Sequence, residues 1–88
     1  MTKRIHFRVT QDDIDTGRAQ DCERCPVALA ISRRLKTHVQ VSSRTVNIYG
    51  ADGYFQQDIS LPPIASRFIT AFDQNETLVR PFRFALNV

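Results

Sequence analysis

Nothing in this chain supplies the usual apparatus of catalysis. No G-x-S-x-G elbow, no H-E-x-x-H pair and no phosphate-cradling glycine loop occurs. The three glycines all fall where turns are expected. The two histidines, His6 and His38, are isolated, and the two cysteines, Cys22 and Cys25, stand only three positions apart. Such a close pair cannot staple distant parts of a fold and says nothing for secretion. Long apolar runs are missing too. None approaches the roughly 20 residues of a membrane span. Met1–Val9 is short, polar and alternating, without the apolar stretch that export requires. The expectation is a cytoplasmic, non-enzymatic protein with no membrane association and no cofactor.

What is present suffices for one folded unit. Eighty-eight residues make a single domain, and 42% hydrophobic content with six phenylalanines can fill one compact core. The formal charge of +3 permits an anionic partner without demanding one. Five of the nine acids (Asp12, Asp13, Asp15, Asp21 and Glu23) fall between positions 11 and 23. The remainder is strongly basic, so a charge gradient across the molecule is expected.

Read in order, Arg4–Val9 alternates strictly, with Ile5, Phe7 and Val9 on one face and Arg4, His6 and Arg8 on the other. That is a half-buried strand with a cationic outer face. Thr10 can cap a short helix over Gln11–Thr16, with acids suited to its positive end and Gly17 as its stop. A second helix is expected from near Cys25 to about Lys36. Pro26 favours its first turn, and Arg33, Arg34 and Lys36 match the negative end of its dipole. Val27, Ala28, Ile31 and Leu35 form its apolar stripe, while Leu29 lies well off it.

Beyond His38 the period becomes two. Val39 and Val41 alternate, then Val46 and Ile48, with a change of parity that a bulge or tight turn around Ser42–Arg44 would explain. Gly50-Ala51-Asp52-Gly53 signals a hairpin leading into a strand over about Tyr54–Ile59. Leu61-Pro62-Pro63 ends that strand and opens a helix on which Leu61, Ile64, Ala65, Phe68 and Phe72 share a face. Asp73–Thr77 reads as a polar loop. A last strand then turns Phe82, Phe84, Leu86 and Val88 inward. The fold class is α+β. Two helices on one face of a mostly antiparallel sheet of four or five strands are expected, with the ferredoxin-like βαββαβ order favoured.

Each candidate site competes with a plainer reading. Cys22 and Cys25 at a helix start could form a redox centre, because a helix N-terminus favours thiolate. Yet 12 residues separate Val9 from Cys22, unlike the close strand-to-motif spacing of thioredoxin-like domains, and Glu23 opposes thiolate formation. A zinc site needs four ligands, and a single knuckle would have to recruit His6 and His38 or a second chain. Reduced thiols packed like small apolar groups are the preferred reading. Asp12, Asp13 and Asp15 match no calcium-loop spacing, so a solvated helix start accounts for them better.

Two surfaces remain. On the second helix, Cys22, Cys25 and Leu29 fall on one side, and together with Arg33 they form a candidate protein-interaction surface. The plainer account has Gln11–Gln20 folding over that side, with Ile14 touching Leu29. On the sheet, Arg4, His6, Arg8 and Arg83 would share an open face if the first and last strands are neighbours. RRM-type domains hold single-stranded RNA on such a face. Here the interleaved aromatic signature is missing, and ordinary solubility chemistry explains the same residues.

The passages VTQDDIDTGRAQDCERCPVALAI, LPPIASRFITAFD and PFRFAL resemble a family of small, mostly uncharacterised proteins encoded by bacteriophages and mobile elements. The matching elements are Cys22-x-x-Cys25-Pro26, the Phe68…Phe72-Asp73 helix end and Pro81-Phe82-x-Phe84. The resemblance carries no catalytic residues. It implies an accessory protein that binds a host or defence protein stoichiometrically. Homodimer formation, by pairing an open sheet edge or by burying the second side of the Val27–Leu35 helix, is a compatible variant. Single-stranded nucleic-acid binding is the alternative, and a zinc or redox protein centred on Cys22 and Cys25 is the third.

Overall fold

The computed structural model describes residues 3–50, 53–74 and 79–88. Its elements run β1 (Arg4–Val9), α1 (Gln11–Thr16), α2 (Pro26–Leu35), β2 (Val39–Val41), β3 (Thr45–Tyr49), β4 (Phe55–Ser60), α3 (Pro63–Asp73) and β5 (Phe82–Asn87). The α+β class holds. The expected polar loop after Asp73 and the centre of the Gly50–Gly53 turn lie largely outside the described residues.

The strands do not form the expected single sheet. β1 pairs antiparallel with β5 as a two-stranded ribbon, while β2, β3 and β4 form a separate antiparallel sheet in that order. Alternation along a strand fixes which side faces the core, but it does not choose the neighbour. The parity change between Val41 and Val46 is a tight turn. Ser42 N–H donates to the Thr45 carbonyl, and Val39 and Val41 pair with Ile48 and Val46.

One core serves both sheets. Phe7 and Val9 from β1, Phe84 and Leu86 from β5, Val39 and Val41 from β2, and Val46 and Ile48 from β3 are all buried in one cluster. Val27, Ala28, Ala30 and Ile31 of α2 join it, as do Ala65, Phe68 and Ile69 of α3. Phe68 packs on Phe82 at a centroid distance of 4.7 Å, linking α3 to the ribbon, and Phe7 stacks on Phe84 at 5.3 Å across the ribbon itself. The inward face of α3 is rotated from the expected one, because Ile69 is buried and Ile64 is 45% exposed. A helical-wheel stripe is wide enough to accept either residue. Tertiary packing decides between them: Ile69 lies beside Cys25 and Val41, while Ile64 stays at the surface. Among the described residues no helix is long and apolar enough to cross a membrane.

The first helical pair is set by local chemistry. Thr10 and Asp13 form a reciprocal capping box at the start of α1, each side chain accepting from the other's backbone N–H. Gly17 ends α1 against Pro26, the first residue of α2. A Cβ at Gly17 would lie 2.6 Å from the Asp13 carbonyl oxygen and 2.8 Å from Pro26 Cδ. Because backbone and a fixed ring have little room to yield, Gly17→Ala is expected to cost about 1–3 kcal/mol. Thermal unfolding would measure this, and an unchanged melting temperature would refute the close approach.

Candidate nucleic-acid interface

The Cys22–Cys25 passage is a structural junction. Asp21 Oδ1 accepts from the N–H groups of Glu23 and Arg24, at 2.9 and 3.1 Å, and folds the chain into a turn. Cys25 is the N-cap of α2, where its thiol accepts from Ala28 N–H at 3.4 Å. The Cys22 carbonyl accepts from Val41 N–H, which seats the turn on the edge of β2, and Gln20 N–H donates to Asp73 at the end of α3. Cys22 is exposed and Cys25 buried. Burial pushes the Cys25 thiol up to about 11, against the weaker opposing pull of the Ala28 and Val27 N–H groups. That is the reverse of the activated thiolate a redox centre requires.

The histidines stand elsewhere. His38 Nε2 lies 3.8 Å from Glu23, with its ring beside Tyr49 on β3, and His6 is exposed on β1. Among the described residues no three His, Cys, Asp or Glu side chains converge as metal ligands.

The candidate protein-binding surface on α2 is largely occupied from within the chain. Cys25 is buried and Leu29 half-buried, while α1 packs beside α2 with Ile14 against the core. Arg33 reaches across to α1. Its guanidinium grips both Asp13 carboxylate oxygens, at 2.6 and 3.0 Å, and also donates to the Arg8 carbonyl at 3.0 Å. Asp13 is 2% exposed. Burial works to raise its pKa, but hydrogen bonds from Arg33 and Thr10 outweigh that and hold it below the ordinary 3.8. The same carboxylate holds the Arg33 guanidinium above its already high ordinary value.

The ribbon brings the predicted cations together. In the β1–β5 register Arg8 stands directly opposite Arg83, His6 opposite Ala85 and Arg4 opposite Asn87. Arg4, His6, Arg8, Arg83 and Asn87 are exposed, and no outward position of either strand carries a carboxylate. Among the described residues none of these arginines has an ion-pair partner; the pairs found there are Arg33–Asp13 and His38–Glu23. Directly opposed like charges disfavour a strand pair, so this face carries a modest electrostatic cost.

Beside β1 lies a groove of about 430 Å³, lined by His6, Arg8, Ala30, Arg33, Arg34 and Lys36. Sequence reasoning missed Arg34 and Lys36 as site residues because charge at a helix end already has an explanation in the helix dipole. Their nearness to Arg8 is a tertiary fact.

No protein-family model matches this chain, and no curated protein or solved structure matches it.

Two measurements test this geometry. Asp13→Asn is expected to lower stability by about 1–3 kcal/mol at neutral pH, the half-exposed guanidinium keeping the loss from being larger. Because the folded-state pKa of Asp13 is depressed, its contribution is complete above 3.8 and is lost as the pH falls through the lower folded value. The variant's stability should therefore fall less steeply with acid than the wild type's. Separately, a thiol-reactive chromophore should label Cys22 in the native protein and Cys25 only after denaturant is added. Rapid native labelling of both would contradict the buried N-cap.

Proposed function

We propose that this is a non-enzymatic binding protein whose ligand is a single-stranded nucleic acid, held by its phosphates along the outer face of the β1–β5 ribbon. One observation carries the reading: Arg4, His6, Arg8 and Arg83 share an exposed face that contains no carboxylate, with Arg8 and Arg83 in direct opposition. Phosphate oxygens would relieve that repulsion through charge-assisted hydrogen bonds.

The face has no ring except that of His6, so bases have little to stack on. Recognition then falls on the backbone and is tolerant of sequence, unlike that of aromatic RRM platforms. Stoichiometric binding of a host or defence protein draws on the family resemblance and on the α2 face. That face offers less, since Cys25 is buried and Arg33 already holds Asp13. A homodimer through a ribbon edge is compatible with either ligand.

Mobility-shift titration with single-stranded DNA and RNA of mixed sequence tests the reading. Retardation is expected at low salt and should weaken steeply as salt rises, through counterion release. The Arg4→Ala/Arg8→Ala/Arg83→Ala variant should lose at least about tenfold in affinity. A wild-type protein that retards neither strand at low ionic strength would end the proposal.

A further inference from the structure

We infer that the bound strand leaves the ribbon over the β1 edge and enters the groove between β1 and α2, where Arg34 and Lys36 hold further phosphates. This rests on the nucleic-acid reading and deepens it by assigning a second subsite and a path. His6 and Arg8 belong to both places: they project from the ribbon's outer face and also line the groove. A backbone lying along Arg83 and Arg8 therefore meets Arg34 and Lys36 without crossing an uncharged gap.

The groove's cations are not equivalent. Arg33 is neutralised by Asp13, with Asp12 also acting on it, so it has little charge left to offer a phosphate. Arg34, Lys36 and Arg8 have no ion-pair partner among the described residues. Lys36 carries the more pointed observation. It is the C-cap of α2 and adopts a left-handed backbone, with φ 56° and ψ 40°. Glycine is favoured at such a position, because a side chain there is strained. A lysine in that conformation gives the groove lining a cation that glycine would lack.

Dipole compensation is the competing account of the same residues, and it makes the opposite prediction. Were Lys36 present only to stabilise the helix end, replacing it would touch folding and leave ligand binding alone. Under the subsite reading, Lys36→Gly relaxes the backbone, and binding is what suffers.

Anisotropy titration of a labelled oligothymidine of about 15 nucleotides, repeated over a salt series, decides the matter. Phosphate contacts from Arg4, Arg8, Arg83, Arg34 and Lys36 give an expected slope of log affinity against log salt of about −3.5 for the wild type. Arg34→Ala/Lys36→Gly should reduce the slope to about −2 and weaken binding roughly tenfold at moderate salt. Lys36→Gly alone should keep or raise the melting temperature while still weakening binding.

If the wild type binds but the double variant matches it in affinity and slope, the groove is not a subsite and the ribbon reading stands. If the wild type does not bind the oligonucleotide, both fall. Competition by polyglutamate as effective as unlabelled oligonucleotide at equal charge would also overturn the assignment, in favour of an acidic polypeptide.

Discussion

The bidentate contact between Arg33 and Asp13 fixes more of this molecule than any other single interaction. A carboxylate with 2% of its surface exposed would be untenable alone, since burial penalises its charge. Arg33 supplies two short hydrogen bonds, and Thr10 completes the satisfaction through the capping box. The consequence is geometric. Residues from three consecutive elements are clamped together: the end of β1 through the Arg8 carbonyl, the start of α1 through Asp13, and the last turn of α2 through Arg33 itself. With that clamp in place, Arg34 and Lys36 necessarily lie beside β1, and the groove exists.

The division into two sheets shapes the surface in a second way. A ribbon of only two strands places every outward residue of β1 next to one of β5, and three of those six residues are arginines. The hydrophobic side of the ribbon stabilises the arrangement: Phe7, Val9, Phe84 and Leu86 are buried in one cluster with residues of α2, α3 and the other sheet. Burial of four such side chains greatly exceeds the modest repulsion of opposed arginines at a solvated surface. The fold can therefore tolerate an unneutralised cationic face. A ligand that neutralises it gains what the free protein forgoes.

The cysteine passage shows how distinctiveness in sequence and reactivity can part company. Two thiols three apart beside a proline invite a redox or metal reading, yet the positions serve backbone satisfaction. Asp21 closes the turn, the Cys25 thiol caps α2, and the Cys22 carbonyl meets β2. Such a junction ties α2 and β2 together, and the Gln20–Asp73 hydrogen bond brings α3 in as well.

Elements whose causes are local were legible from the residues themselves. Thr10 with its following acids, Pro26 in a first turn, and the strict alternation of Arg4–Val9 and Phe82–Val88 each act within a few positions, so the short-range pattern determined α1, the start of α2 and the inward faces of β1 and β5. Pairing was not legible, because alternation is indifferent to the neighbour. Only the tertiary structure separated the ribbon from the three-stranded sheet, chose Ile69 over Ile64 for the core, and committed Arg33 to Asp13, 20 positions away. The cationic face could be named from sequence, given that β1 and β5 meet. The groove could not, because it depends on long-range contacts that no local spacing encodes.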